Sequence, residues 1–276
     1  MLNFAANLTM LFTEAPFLDR FALARKSGFR FVEYLFPYPY KVDELKEQLK
    51  LHGLTQVMFN LPSGDWAAGE RGIAGLPGRS EEFRAGVKRA LEYATALGVT
   101  RLNCLAGKRL PQFAEENQWR VLVENVQFAA KALQPYGFTL LVEALNAFDC
   151  PGFLLTRTAQ VVKLIEEAGM PNVMVQYDVY HAQRQEGEIV ATLRKHAPQI
   201  GHIQIADNPG RHQPGTGELN FPFIFNEIDA SGFHGYIGLE YVPLQDTKSS
   251  LGWLDEFGYP LPLSNVTNPR KVHSPG

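Results

Sequence analysis

Eight short apolar runs alternate with amphipathic stretches along this chain, and the alternation limits its fold more than any other feature. The runs are rich in β-branched and aromatic residues, which favour strands. They lie at 4–10, 29–35, 54–61, 100–107, 139–145, 173–178, 201–207 and 236–241. The stretches between them carry apolar residues at helical spacing and end in glycine, most clearly at 17–28, 41–53, 81–98 and 157–169. Eight strand–helix units predict an α/β fold, a single-domain (β/α)8 TIM barrel.

The limits of the barrel follow from where the alternation stops. We assign residues 1–258 to the barrel, and the Pro-, Ser- and Asn-rich residues 259–276 predict an irregular C-terminal extension. A doubly wound open sheet is the alternative, but such sheets often have a glycine-rich turn after the first strand, and 7–16 has no glycine. Two long loops, 61–79 and 207–220, follow the third and seventh strands, at the end where barrels keep their chemistry.

Composition narrows the classes of partner. A net charge of −3 over 276 residues argues against a general attraction to nucleic acid or to an anionic membrane. No apolar run reaches the roughly 18 residues of a transmembrane helix. The two cysteines are too few for a disulfide scaffold, and the first residues lack the basic segment of a signal peptide. We therefore expect a cytoplasmic protein with a small-molecule partner, and the sequence leaves a homo-oligomer open.

Four consecutive predicted strands, the fifth to the eighth, carry a polar residue at or near their C-terminal ends. These residues are Glu143, Asp178, Gln204 and Glu240. Any one of them alone is more often a loop cap or a surface ion pair. Together, a barrel would bring them into a ring at its mouth, where three carboxylates would repel one another. Because carboxylate and amide oxygens suit hard cations, the pattern predicts a site for Mg²⁺ or Mn²⁺.

Other polar residues around this ring are candidates for supporting or substrate-binding roles. His202 shares a strand face with Gln204 but lies one step deeper, which suggests a histidine held by a carboxylate and orienting a ligand from behind. His181 follows the sixth strand, where we expect a loop, and is a candidate for touching substrate. If the substrate is an acid, Arg71, Lys108 and Arg211 on the loops are candidates for binding its carboxylate, although each is also typical of a solvated surface.

Long motifs in the same regions are similar to those of a known family. The segments 60–72, 143–153, 175–188, 201–220 and 238–241 resemble hydroxypyruvate isomerases, which belong to the xylose isomerase-like barrel superfamily. The resemblance implies that Glu143, Asp178, Gln204 and Glu240 bind a divalent metal and that the two glutamates are the catalytic acid and base. The 2-oxo-tetronate isomerases are a close relative, but the loop after the third strand and the stretch after Glu143 are more similar to hydroxypyruvate isomerases.

The implied reaction interconverts hydroxypyruvate and 2-hydroxy-3-oxopropanoate, by proton transfer through a cis-enediolate. A 2-oxo-tetronate isomerase or a sugar 3-epimerase would use the same proton transfer between two glutamates. Sugar 3-epimerases, however, usually have histidine where this chain has Gln204. A DNA-repair endonuclease on the same barrel would need several zinc ions and more inward histidines than seven in total allow. A non-catalytic protein that binds a metal or an acid is the alternative from a different functional class.

Overall fold

The computed structural model describes residues 2–262 of the chain and contains nine short strands there. The strands are β1 Asn3–Asn7, β2 Phe31–Glu33, β3 Thr55–Gln56, β4 Phe59–Asn60, β5 Arg101–Cys104, β6 Thr139–Glu143, β7 Val173–Asp178, β8 Ile200–Ile205 and β9 Tyr236–Leu239. They form one sheet of order β3-β2-β1-β9-β8-β7-β6-β5-β4, and all eight strand pairings within it are parallel.

The third predicted strand closes the sheet into a barrel. It is divided into β3 and β4, which only Val57 and Met58 separate. Its first half bonds to β2, since the backbone N–H of Val57 donates to the carbonyl of Val32 at 2.9 Å. Its second half bonds to β5, since the N–H of Leu61 donates to the carbonyl of Asn103 at 2.8 Å. Because β3 and β4 together occupy one strand position, the nine strands form an eight-stranded barrel. The predicted (β/α)8 architecture is confirmed.

The helices follow the strands of the barrel, the last two after β9, and cover its outside. They are α1 Arg20–Lys26, α2 Val42–His52, α3 Ser80–Leu97, α4 Glu115–Leu133, α5 Thr158–Ala168, α6 Val179–Gln185, α7 Ile189–His196, α8 Phe221–Ala230, α9 Thr247–Ser250 and α10 Gly252–Glu256. In α3, the buried residues Phe83, Val87, Ala90 and Ala94 form one stripe at helical spacing. That helix ends at Gly98, whose φ of 72° is the left-handed conformation that glycine adopts without strain.

Some predicted strands are shorter in the structure. The run 29–35 predicted one strand, but β2 ends at Glu33. Beyond it, the backbone N–H of Leu35 donates to the hydroxyl of Thr9 at 2.9 Å instead of to a neighbouring strand. A side chain thus satisfies the backbone where the sheet ladder stops.

The inside of the barrel changes from apolar to polar along its axis. Near the N-terminal ends of the strands, Ala5 and Val57 pack with Phe31 and Tyr236, whose ring centroids are 4.8 Å apart. Two residues further along β1 and β2 the same face carries the polar side chains of Asn7 and Glu33. The polar layers therefore lie at the C-terminal end of the barrel, the end at which such folds keep their active sites.

The start of the predicted C-terminal extension packs on the barrel wall. Tyr259 contacts the ring of Phe4 with centroids 5.3 Å apart, and residues 259–262 contain no helix or strand. The remainder of the predicted extension, 263–276, lies outside the described residues. Within the described chain, no helix has both the length and the apolar character needed to cross a membrane.

Candidate active site

The register of the strands brings the four predicted site residues to the same end of the barrel interior. Glu143 on β6 is level with Gln176 on β7, which is two residues before Asp178. Asp178 is level with Gln204 on β8, whose partner on β9 is two residues before Glu240. Because residues two apart in a strand share a face, this stepped register places all four side chains inside the barrel mouth.

Three of the four are carboxyl groups that the fold removes from water. Glu143, Asp178 and Glu240 are 4%, 3% and 6% exposed. The guanidinium of Arg211, on the loop after β8, lies across two of them, with Nη2 2.6 Å from Glu240 Oε1 and 3.6 Å from Asp178 Oδ2. Within residues 2–262, no other arginine and no lysine forms an ion pair with these three carboxyls. If all three carboxyl groups were ionised, their three negative charges would face the single positive charge of Arg211.

The pKa values of the three carboxyls reflect this environment. Burial raises the pKa of Glu143 well above its ordinary value, and the charges of Glu240 and Asp178 add to the effect. Burial also raises the pKa of Glu240 to about 8, although the Arg211 guanidinium opposes the shift. The pKa of Asp178 is raised by burial and is likewise opposed by Arg211. A further positive charge among them would favour the ionised forms of all three.

Asp178 both begins a helix and leaves one oxygen free. We expected a loop after the sixth strand, but α6 begins at Val179, directly after Asp178. The Oδ1 atom of Asp178 caps this helix by accepting from the backbone N–H of Tyr180 at 2.8 Å and of His181 at 3.5 Å. Its Oδ2 atom is buried and accepts no hydrogen bond from the described residues. An unsatisfied, buried carboxylate oxygen in an acidic cluster fits a bound cation.

The hydrogen bonds of Asn146 determine which nitrogen of His181 carries the proton. The carbonyl oxygen of Asn146 accepts from the backbone N–H groups of Phe148 and Asp149 at 3.1 and 2.9 Å, so its amide nitrogen faces His181. That nitrogen lies 2.7 Å from Nδ1 of His181, and the backbone N–H of Asn146 lies 3.2 Å from the same atom. Since both neighbours are donors, Nδ1 is an acceptor and the proton of the neutral ring is on Nε2.

This proton makes His181 a hydrogen-bond donor towards the cluster. Burial lowers the pKa of His181 well below its ordinary value, and the charges of Arg211 and Arg184 lower it further, so the ring is neutral. Its Nε2 lies 3.7 Å from the free Oδ2 of Asp178. As long as the Asn146 contacts persist, Nε2 carries a proton and has no lone pair to offer a metal.

Gln204 faces the cluster with its amide nitrogen. Its Nε2 donates to Oε1 of Glu33 at 2.8 Å and also to Oε2 of Glu240. Its carbonyl oxygen accepts from Nε2 of Gln176 at 2.6 Å. The reverse orientation would point a carbonyl at two carboxyl groups, so the network fixes this one. The predicted ligand atom of Gln204 thus faces Gln176 in this structure, and it would have to turn to reach a metal between the carboxyl groups.

His202 lies one layer below and supports the site through a carboxyl group. Its ring is fully buried and its Nε2 lies 2.8 Å from Oε2 of Glu33. Glu33 also accepts from Asn7 at 3.0 Å and from Gln204. Space for this carboxyl group comes from Gly238, where an added Cβ would lie 2.2 Å from Oε1 of Glu33. The predicted histidine–carboxylate contact is present, and Glu33 connects it to Gln204.

Sequence reasoning missed two polar residues beside Glu143. Gln176 and Asn103 each donate to its Oε2 at 3.0 Å. A signal for them exists in the sequence. Gln176 precedes Asp178 by two residues in an otherwise apolar strand, so it must share the inward face. A polar residue at such a position needs a partner inside the barrel.

Arg71 lies on the loop after β4 and is held by that loop. Its guanidinium carbon is 3.9 Å from the ring centroid of Trp66, and Nη1 donates to the carbonyls of Trp66 and Glu70 at 3.1 and 2.7 Å. Burial raises the pKa of the Cys150 thiol, Arg71 opposes this and Glu143 adds to it. The positive charge of Arg71 and the negative charge of Glu143 therefore both act on the thiol of Cys150.

Lys108 is not joined to the cluster by any contact. Its backbone pairs with Phe153, and its carbonyl accepts from the side chain of Gln118 at 3.2 Å. Its ammonium group makes no hydrogen bond or ion pair within residues 2–262. Its predicted role in binding substrate therefore gains no support from the geometry.

A group of three potential ligands lies within the cluster. One atom each of Glu143, Asp178 and His181 lies within 4.8 Å of the others, so these residues could hold a divalent metal. The proton on His181 favours oxygen ligands over the imidazole.

Comparisons with known proteins agree with this architecture. The profile of the family described as "Xylose isomerase-like TIM barrel" matches residues 21–257. The chain is 51% identical to "Hydroxypyruvate isomerase" of Escherichia coli over 93% of this chain and 100% of that protein. It is 46% identical to "2-oxo-tetronate isomerase" of Cupriavidus necator, over 93% and 99% of the two chains.

Solved structures show the same fold. A crystal structure described as "AP endonuclease, family 2" from Brucella melitensis has a TM-score of 0.91 at 43% identity, over 93% of this chain and 99% of that one. A 3-keto-D-glucoside 4-epimerase from E. coli has a TM-score of 0.77 at 21% identity, with 93% and 99% covered, which supports the fold alone. The chain therefore belongs to the xylose isomerase-like TIM barrel family, within which it is an isomerase.

Proposed function

We propose that this isomerase interconverts hydroxypyruvate and 2-hydroxy-3-oxopropanoate and needs a divalent metal ion, Mg²⁺ or Mn²⁺. The observation that supports this most is the buried cluster of Glu143, Asp178 and Glu240 beneath Arg211. It combines carboxyl groups whose pKa values burial raises, that of Glu240 to about 8, with a cation that can attract an anionic substrate. The similarity to a hydroxypyruvate isomerase over the whole barrel supports hydroxypyruvate as the substrate.

In the proposed site, Glu143, Asp178, Gln204 and Glu240 hold the metal ion through their oxygen atoms. The free Oδ2 of Asp178 and the raised pKa values of the carboxyl groups support a cation at this position. Gln204 would take part after a change of its side-chain rotamer. A divalent ion here would polarise the substrate carbonyl and acidify the neighbouring C–H group.

The two glutamates carry out the proton transfer in this proposal. One takes a proton from the carbon that bears the hydroxyl group to give a cis-enediolate, and the other returns a proton to the former carbonyl carbon. The hydroxyl proton passes to the former carbonyl oxygen, so the carbonyl and hydroxyl groups exchange places. In the metal-free protein burial raises the pKa of Glu240 to about 8, and a bound cation would favour its ionised form, which can accept a proton as a general base. Because Glu143 and Glu240 come from different strands, they can act on a substrate held between them.

Neutral and positive donors complete the proposed site. The Nε2–H of His181 would donate to the substrate oxygen on which enediolate charge develops, as a neutral imidazole can. Arg211 and Arg71 would bind the carboxylate of the oxo-acid. Within residues 2–262, only Nη1 of the Arg71 guanidinium forms hydrogen bonds, so its remaining N–H groups can form the two-pronged contact that a carboxylate accepts.

A 2-oxo-tetronate isomerase is the second candidate, because one such enzyme is 46% identical over 99% of its length. Its substrate is longer by one CHOH group, which would change contacts in the loops and leave the chemistry of the cluster as proposed. A repair nuclease, the class named for the Brucella structure, remains disfavoured by the need for several zinc ions and inward histidines.

Proton NMR in D₂O tests the proposal directly. The protein is first freed of metal with a chelator, and then Mg²⁺ or Mn²⁺ is added with hydroxypyruvate or 2-oxo-tetronate in separate tubes. We expect metal-dependent conversion of hydroxypyruvate, with solvent deuterium entering the product. Conversion of the four-carbon acid alone would support the second candidate. Tight binding without exchange would support a binding protein, and cleavage of abasic DNA would support a nuclease.

Location and assembly stay predictions from the sequence. A cytoplasmic location can be checked by cell fractionation. A homo-oligomer can be checked by light scattering of the purified protein.

A further inference from the structure

The position of Arg211 requires structural support from its loop. Arg211 lies on an irregular loop, 208–219, and its φ of 59° is a left-handed conformation that a residue with a long side chain adopts only when its surroundings impose it. Yet its guanidinium must stay over Glu240 and Asp178, which it contacts at 2.6 and 3.6 Å. Some feature of the loop must therefore hold its backbone.

The carboxyl group of Asp207 holds this loop through hydrogen bonds to its backbone. Asp207 is fully buried at the end of β8. It accepts hydrogen bonds from five backbone N–H groups of the loop, between 2.9 and 3.2 Å long, and these come from Asn208, Gly215, Thr216, Gly217 and Leu219. Five donors on one carboxylate leave no alternative position for the loop backbone without the loss of several bonds.

The backbone of Asp207 is tied to Arg211 as well. Its carbonyl accepts from the N–H of Arg211 at 3.1 Å, and its N–H donates to the carbonyl of His212 at 2.8 Å. The carbonyl of Arg211 then accepts from the N–H of Val242, just beyond Glu240. At Gly217, an added Cβ would lie 2.6 Å from Oδ1 of Asp207, so the loop is shaped closely around this carboxyl group.

We propose that Asp207 is a positioning residue for the reaction, which through the loop 208–219 fixes the guanidinium of Arg211 over the acidic cluster. The inference rests on the proposed function, in which Arg211 binds the substrate carboxylate. Asp207 itself touches neither the cluster nor, in this proposal, the substrate.

The Asp207→Asn variant tests it, because it keeps the shape of the side chain and places an amide N–H₂ against N–H donors. We expect kcat/KM for hydroxypyruvate to fall by about ten- to a hundredfold through misplacement of Arg211, mostly as a higher KM. In an Arg211→Ala background the same substitution is expected to have little further effect. Asp246→Asn is the matched control, since this exposed aspartate also caps a backbone N–H, at Ser249, and should leave kcat/KM unchanged.

An equal loss of kcat/KM in both backgrounds would overturn the positioning role, since a general loss of structure acts independently of Arg211. A wild-type protein without isomerase activity would refute the proposed function instead. The inference would then still be tested by the free energies of unfolding of the same two single variants and the double variant. Non-additive values, with faster amide exchange at 215–219 in Asp207→Asn, would support it, and additive values would overturn it.

Discussion

At the scale of single residues, the proposed reaction depends on carboxyl groups that can gain and lose a proton. In the absence of a metal, burial holds the pKa of Glu240 at about 8, and a bound cation would favour its ionised form, so this carboxyl group can both accept and release a proton. An amide of the same shape can do neither.

The Glu240→Gln variant is therefore expected to fold and to lose turnover. We expect kcat to fall by about 10²–10⁴-fold, the usual contribution of a general base. The melting temperature should be unchanged or higher, because an acid whose ionised form is disfavoured has been removed. Steady-state kinetics and a thermal melt measure the two effects. Glu115→Gln, at an exposed ion pair with Arg109, is the control, and near wild-type turnover of Glu240→Gln would disprove its role.

Arg71 is expected to contribute binding more than chemistry. Arg71→Lys keeps the charge but loses both the planar fork and the stacking on Trp66. We expect KM for the oxo-acid to rise by about tenfold with a smaller change in kcat, as for a group that binds substrate and transition state equally. Arg84→Lys serves as control, since Arg84 also lies over an aromatic ring, that of Phe128, on the outer surface. An unchanged KM would remove Arg71 from the site.

At the scale of strands and helices, the sequence predicted the ring of site residues well because alternation is a local property. Glu143, Asp178, Gln204 and Glu240 stand out as polar residues in apolar strands, and the structure has all four in the barrel mouth. Their roles stay predictions. Local pattern could not pair the residues of the layer below, because the partner of Glu33 is His202, 169 residues away. Nor could it give the orientation of Gln204, which depends on contacts with Glu33, Gln176 and Glu240 from distant parts of the chain.

Gly238 on β9 shows how one strand makes room for another. An added Cβ would overlap the carboxyl group of Glu33 on β2, and Glu33 is held by three donors and cannot move aside cheaply. We expect Gly238→Ala to lower the free energy of unfolding by about 1–3 kcal/mol, as overpacking does. Chemical denaturation measures this. At Gly252, in α10, an added Cβ meets nothing, so Gly252→Ala should be neutral or stabilising. Equal stabilities of the two variants would contradict the tight fit.

At the scale of the whole molecule, the raised pKa values make stability depend on pH. The unfolded chain gives Glu240 its ordinary pKa of 4.5, whereas the folded state holds it at about 8. Between these values the folded state binds more protons, so the free energy of unfolding falls as the pH rises. We expect the melting temperature of the metal-free protein to decrease from about pH 5 to pH 8 more steeply than that of Glu240→Gln. Parallel curves for the two proteins would refute this, and added Mn²⁺ should remove the difference.

The five amides that converge on Asp207 also determine where this barrel can change length. Gly215, Thr216 and Gly217 all bond to one oxygen atom of Asp207, so the number of residues between them and β8 is set by the reach of a single side chain. One inserted or deleted residue within 208–214 would move these amides out of hydrogen-bonding distance of the Asp207 carboxyl group. We therefore expect barrels that share this loop to keep its length fixed and to gain or lose residues elsewhere.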